Sequence, residues 1–170
     1  IEYKQSGPAT AIYNELGAYI LYNPAVIDQI SNLGRYLILE HERAHHRLGH
    51  TLFTKMHREL DMKFPRFYES EKEKDADCEA GYSLKEDISY FGIVTSADIK
   101  NAMTEIYYAL GGDQDSFLPT SLLYRIDVVN SCYQGKIYSR PKPVEGVLEV
   151  FEQREKGLMI KPLKRCLLYT

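Results

Sequence analysis

The chain has 170 residues, enough for one domain with a hydrophobic core and too few to favour two. Apolar residues make up 44% of it and charged residues 26%, a globular composition that excludes an intrinsically disordered protein. The net charge of -3 gives no basic surface for nucleic acid, and no apolar run is long enough for a transmembrane segment. We therefore predict one domain over residues 1–170.

A β-hairpin is predicted near the start of the chain. Residues 11–13 and 18–22 are rich in Ile and Tyr, and the segment between them ends in Gly17, as a hairpin turn often does. Pro24 ends the second strand, because proline cannot donate a hydrogen bond to a strand ladder. Residues 25–31 are predicted to form a short helix.

Longer helices are predicted after the hairpin. Their apolar periodicity and terminal signals indicate helices over about 33–54, about 68–86, 96 to the glycines at 111 and 112, and 119–134. Thr95 and Asp98 have the spacing of a capping box at the start of the third. Residues 141–170 are predicted to be an extended or hairpin tail. The pattern as a whole predicts an α+β fold with a small sheet packed on several helices.

The first long helix carries a motif with metal-binding spacing. His41 and His45 lie one turn apart and share the helix face of Leu37, which is the predicted buried face. Both imidazoles can therefore bind one metal ion. Glu42 lies at the edge of that face, where its carboxylate can reach a metal-activated water without binding the metal itself. Such a pattern also arises by chance, so the motif alone is suggestive.

The second long helix offers a third ligand. Catalytic zinc usually takes three protein ligands and leaves a fourth position for water. Glu73 and Asp77 share one helix face, so Glu73 is predicted to bind the metal and Asp77 to accept the ring N–H of a ligand histidine. By charge pattern alone a solvated charged face is favoured, since other charged residues surround these two. The motif on the first helix reverses that preference.

The two segments together resemble a known family. HERAHHRLGH at 41–50, followed by EKDAD at 73–77, is similar to the gluzincin metallopeptidases. The similarity is greatest to the branch that contains the heat-shock and CAAX prenyl proteases and the small soluble minigluzincins. It extends over residues 18–81. In that family an edge strand upstream of the motif can pair with an extended substrate, and the strand that ends before Pro24 resembles it.

The resemblance implies a zincin-like, minigluzincin-like fold in which a small sheet packs against the HExxH helix. It implies one zinc ion (Zn2+) per chain, bound by His41, His45 and Glu73, with Glu42 as general base. Asp77 would support a ligand. The implied activity is that of a hydrolase, a zinc metalloendopeptidase that acts on a peptide or protein substrate.

One departure from the family leaves the function open. Family members often place a His or Arg downstream to stabilise the developing oxyanion, but no His follows His57. Arg125 is the best remaining donor, with Tyr124 as an alternative, and a surface Arg beside a core Tyr is an equally good interpretation. A catalytically weak or inactive protease-like binding module that retains the metal is therefore the second hypothesis. A structural metal site or a different metallohydrolase is the third.

Two further histidines of the first long helix are not assigned to the metal. His46 is predicted to be solvent-facing or structural. His50 follows His41 by nine residues, about 2.5 helical turns, so on a continuous helix it points to the far side. A metzincin site would need Gly at position 48 and His at 51, where this chain has Leu48 and Thr51.

The cysteines leave two interpretations open. Cys78 and Cys132 pair across the second and fourth long helices, or all three cysteines are buried thiols. A disulfide would indicate an exported protein, periplasmic or secreted. The compartment and the oligomeric state are otherwise undetermined from the sequence.

Overall fold

The computed structural model describes residues 9–14, 17–51, 63, 65–109, 119–136 and 138–143. This part of the chain is mostly helical, with a small antiparallel sheet, so the predicted mixture of helices and strands is confirmed. The elements in chain order are β1 (Ala9–Asn14), β2 (Gly17–Tyr22), α1 (Pro24–Ile27), α2 (Asn32–Arg47), α3 (Pro65–Glu86), α4 (Ile88–Phe91), α5 (Ser96–Ala109) and α6 (Pro119–Gln134).

The predicted hairpin is confirmed. Strands β1 and β2 pair antiparallel, from Ala9 opposite Tyr22 to Asn14 opposite Gly17. Ala9 packs in an apolar cluster with buried residues of α1, of the following turn and of α2, namely Ile27, Ile30 and Ile38. Burial of this cluster places the hairpin beside the N-terminal half of α2. The short helix α1 begins at Pro24 and ends at Ile27, before the predicted end at residue 31.

Helix α2 has the predicted buried face but ends earlier than predicted. Leu37 and Ala44 are buried, as their helical spacing predicted. The helix ends at Arg47 because Gly49 adopts a left-handed conformation, with φ of 73°, which stops the regular hydrogen bonding. The predicted end near residue 54 is therefore wrong, although position 54 itself lies outside the described residues.

The main core lies where α2, α3, α5 and α6 meet. Its fully buried members come from each of these helices and include Leu37, Leu84, Ile99 and Val129. Gly81 brings the backbones of α3 and α6 together, because a Cβ at this position would lie 2.4 Å from the carbonyl oxygen of Val129. Close contact of these two helices fixes the relative positions of the side chains that they contribute to the site.

A disulfide bond joins the same two helices. Cys78 on α3 and Cys132 on α6 are bonded, and both residues are buried. The structure thus agrees with the first interpretation of the cysteines, in which Cys78 pairs with Cys132. The bridge begins one residue after Asp77. None of the helices in the described part of the chain combines the length and hydropathy that a bilayer span requires.

Helices α5 and α6 also begin where the sequence signals place them, whereas α3 begins at Pro65, before its predicted start at about residue 68. Thr95 and Asp98 form the predicted capping box, since the Thr95 N–H donates to the Asp98 carboxylate and the Asp98 N–H donates to the Thr95 hydroxyl. Helix α6 begins at Pro119, as predicted. The glycines predicted to end the third long helix and residues 144–170 of the predicted tail lie outside the described residues.

Candidate metal centre

The three predicted ligands converge on one point. The Nε2 atoms of His41 and His45 are 3.0 Å apart. The two carboxylate oxygens of Glu73 lie 3.2 Å from His41 Nε2 and 3.3 Å from His45 Nε2. Both histidine side chains are 12% exposed, and the Glu73 side chain is 40% exposed. Helices α2 and α3 therefore bring together the set that the sequence predicted to bind a metal.

The geometry and chemistry of this set fit zinc. Zinc–ligand distances of about 2.0–2.2 Å in a tetrahedron place the ligand atoms roughly 3.3–3.6 Å apart. The nearest atoms of the three residues already lie close to that spacing, 3.0–3.3 Å apart, with a different oxygen of Glu73 facing each imidazole. Two imidazoles and one carboxylate are also a donor set used by catalytic zinc sites.

Asp77 holds one of the imidazoles. Its Oδ1 lies 2.8 Å from Nδ1 of His41, so the Nδ1–H donates to the carboxylate and Nε2 faces Glu73. Burial favours the neutral acid, but Arg125 and His41 outweigh it and hold the pKa of Asp77 below its ordinary value. Asp77 therefore stays ionised and fixes the orientation of the His41 ring, as the sequence predicted.

Arg125 contacts the same carboxylate from α6. Its Nε and Nη2 atoms donate to the two oxygens of Asp77 at 2.7 and 2.8 Å, a bidentate pair. Nη2 also lies 3.6 Å from Glu73 Oε2. The guanidinium therefore stabilises the Asp77 carboxylate that orients His41. The predicted oxyanion role of Arg125 stays a prediction. The alternative donor, Tyr124, is 45% exposed.

Glu42 is oriented by a backbone amide of the hairpin. The N–H of Ala11 donates to Oε2 of Glu42 at 2.6 Å, across 31 positions of the sequence. The strand that reaches the predicted base is therefore β1. Strand β2, which resembles the family's substrate-pairing edge strand, contacts the end of α2, where its Tyr19 carbonyl lies 3.1 Å from His46 Nε2, and its pairing with a substrate stays a prediction.

A cavity of about 220 Å³ opens beside these groups. His41, Glu42, Glu73, Asp77 and Arg125 form its polar wall. The other walls are mostly apolar, and their larger side chains come from α2, α5 and α6, through Leu37, Ile38, Met103, Ile106, Tyr107, Leu122 and Val129. A few polar groups that converge on an apolar cavity are typical of a small-molecule or substrate site.

The two remaining histidines near the end of α2 differ from each other. His46 is buried, and its ring contacts Thr51 Oγ1 at 2.9 Å as well as the Tyr19 carbonyl, so the structural alternative is the right one. The prediction for His50 is wrong. Its Nδ1 lies 3.0 Å from Nδ1 of His45, because the helix ends before His50 and the chain folds back. Gly49 was the sequence signal for that early end.

The charges of the ionisable groups at the candidate metal centre depend strongly on one another. Burial alone would lower the pKa of His41, but Asp77 and Glu73 outweigh it and raise the pKa to about 10. Burial likewise favours protonated Glu73, yet His41 and His45 hold its pKa well below the ordinary range. Without metal at neutral pH, His41 is therefore protonated beside two carboxylates, and any metal ion that binds its Nε2 atom would have to displace that proton.

This coupling predicts an unusual titration in the metal-free protein. His41 is expected to lose its ring proton near pH 10, because the ion pairs with Asp77 and Glu73 favour the charged form. In Asp77→Asn the pKa should fall toward the ordinary value of about 6.5. Ring resonances of His41 in an NMR pH titration measure both values. Identical titration curves in the two proteins would contradict the assigned role of Asp77.

Comparison of the chain with protein-family models, with curated proteins and with solved structures found no match. The resemblance of residues 41–50 and 73–77 to gluzincins therefore stays a prediction. The functional proposal rests on the geometry of the site.

Proposed function

We propose that the protein is a zinc-dependent metallopeptidase with a zincin-like fold that hydrolyses peptide bonds in a peptide or protein substrate. One observation carries the proposal. The nitrogens of His41 and His45 and the carboxylate of Glu73 converge at 3.0–3.3 Å, and Glu42 lines the cavity that His41 and Glu73 also line. Three ligands beside a carboxylate base and an open cavity are what metal-assisted hydrolysis requires.

The ligand residues would hold zinc through His41 Nε2, His45 Nε2 and the Glu73 carboxylate. Zinc bound there supplies Lewis acidity toward a carbonyl oxygen and lowers the pKa of a water molecule toward about 7. Asp77 and Arg125 act on the ligand side, because they fix the His41 ring with Nε2 directed at Glu73. A ligand set oriented before the metal arrives loses less entropy on binding it.

Glu42 is the proposed general base. Its carboxylate accepts a proton from the attacking water and then transfers that proton to the leaving nitrogen of the cleaved bond. The Ala11 amide keeps the carboxylate in place through its bond to Oε2. The apolar walls of the cavity exclude water around these groups and can receive an apolar side chain of the substrate.

The disulfide supports an exported setting for this activity. Structural disulfides persist in oxidising compartments such as the periplasm or the extracellular space and are rare where thiols are kept reduced. The bridge between Cys78 and Cys132 is buried between the helices that carry Glu73 and Arg125. We therefore propose that the protein acts outside the cytoplasm.

Metal removal tests the proposed function. The purified protein should contain about one zinc per chain and cleave members of an unbiased peptide library. A chelator should abolish cleavage, and added zinc should restore it. Folded protein without stoichiometric metal would contradict the proposal.

Zinc-loaded protein that cleaves no peptide would favour the alternative of a protease-like binding module. The hydrogen bonds of Arg125 motivate that alternative, because the guanidinium that was predicted to stabilise an oxyanion donates to Asp77 instead. Capture of a specific partner in a pull-down, with zinc bound and no cleavage, would then identify the module.

A further inference from the structure

The end of α2 turns the chain back over the metal-binding face. The His50 N–H donates to the His45 carbonyl at 2.8 Å, and the Gly49 N–H donates to the His46 carbonyl at 3.0 Å. These two bonds around a left-handed Gly49 form a Schellman cap. The cap places His50 beside the last turn of the helix.

The ring of His50 then meets the ring of His45. The ring centroids are 5.1 Å apart with an interplanar angle of 65°, and the two Nδ1 atoms are 3.0 Å apart. At that distance one nitrogen donates a proton and the other accepts it. The contact therefore requires one of the two rings to carry the shared proton, and which ring does so is coupled to the metal-binding nitrogen of His45.

The direction of this hydrogen bond follows from the position of His45 Nε2. That atom lies 3.0 Å from His41 Nε2 and 3.3 Å from Glu73 Oε1, at the proposed ligand position. A metal ligand presents its lone pair on Nε2, so the proton of neutral His45 lies on Nδ1. His45 therefore donates and His50 accepts.

We propose that His50 is a positioning residue of the metal centre, which holds His45 in the Nδ1–H tautomer and in its ring orientation. The inference rests on the metal centre of the proposed function. His50 would accept a hydrogen bond from His45 as Asp77 accepts one from His41, through a neutral ring nitrogen in place of a carboxylate oxygen. Loss of such a partner typically weakens metal binding by about 10–100-fold.

A matched pair of substitutions tests the hydrogen bond. In His50→Asn the side-chain oxygen can occupy nearly the place of Nδ1 and accept from His45, whereas Leu in His50→Leu has a similar size and no acceptor. Zinc affinity is measured by competition with a chromophoric chelator. We expect about 10–100-fold weaker binding in His50→Leu and nearly wild-type binding in His50→Asn.

A second pair of substitutions, at Gly49, tests the position of the His50 side chain without replacing His50 itself. Gly49→Ala strains the left-handed cap, while Gly49→Asn is compatible with that conformation. Zinc affinity should fall in Gly49→Ala more than in Gly49→Asn. Thermal unfolding of the metal-free proteins identifies variants that have lost their fold, and affinities are compared only among folded variants.

The outcomes separate this inference from the proposed function. Equal zinc affinities in wild type, His50→Leu and His50→Asn would overturn the role of His50, whatever the peptidase activity. Zinc affinity that is lost in His50→Leu and restored in His50→Asn would support it even if the protein cleaves no peptide. Wild type that binds no zinc would overturn both.

Discussion

Replacing Glu42 with glutamine is expected to lower kcat/KM for peptide hydrolysis by about 10²–10⁴-fold, the usual contribution of a general base. Glutamine cannot accept the proton of the attacking water, while the predicted ligands His41, His45 and Glu73 are unchanged. Zinc content should therefore stay at the wild-type level. Steady-state kinetics on a cleaved peptide, together with metal analysis of the same samples, measures both effects.

Glutamine is the appropriate substitute because of the hairpin contact. The Ala11 N–H donates to Oε2 of Glu42, and the amide oxygen of glutamine can accept the same hydrogen bond. Alanine would remove that acceptor and could displace β1, so a loss of activity in Glu42→Ala would have two explanations. Unchanged unfolding of metal-free Glu42→Gln would verify that the hairpin keeps its position.

Glu105 offers a matched control for this experiment. Its carboxylate accepts the backbone N–H of Ser31 at 3.1 Å, as Glu42 accepts that of Ala11, but it is not among the residues that line the cavity. Glu105→Gln should keep wild-type kcat/KM. Full activity in Glu42→Gln would remove Glu42 from the mechanism, and loss of its zinc would indicate a structural effect instead.

The convergence of His41, His45 and Glu73 could be predicted from sequence because it depends on local geometry. A four-residue spacing on a helix places His41 beside His45, and the same spacing places Glu73 beside Asp77, whatever the rest of the fold. To predict that these two helix faces lie opposite each other required one further assumption, namely that their side chains bind the same metal ion. The structure agrees, with His41 in contact with both Glu73 and Asp77.

Other parts of the site depend on where an element ends or on distant backbone groups. His50 was placed on the wrong side because the prediction continued α2 past the left-handed Gly49. The Ala11 amide that binds Glu42 is a backbone group, so no residue type identifies it. Arg125 was placed on the right helix, but its bond to Asp77 spans 48 positions and requires the packing of α3 on α6.

Replacing Glu73 with alanine is expected to weaken zinc binding by more than about 100-fold, above the range for loss of a ligand's hydrogen-bonding partner. The substitution removes the carboxylate that lies 3.2 and 3.3 Å from the two imidazoles and leaves two protein ligands. Peptide hydrolysis should be lost with the metal. Metal analysis after dialysis and chelator competition measure the change.

Glu71 provides the control, because it is the same residue type on the same helix with nearly the same exposure. Its side chain is 41% exposed against 40% for Glu73, but it pairs with Lys74 instead of the imidazoles. Glu71→Ala should therefore keep wild-type zinc content, although it removes one negative charge from α3 just as Glu73→Ala does. Equal losses in both variants would indicate a general electrostatic effect of the helix. Unchanged zinc in Glu73→Ala would show that the third ligand lies elsewhere, since two histidines alone do not complete a catalytic zinc site.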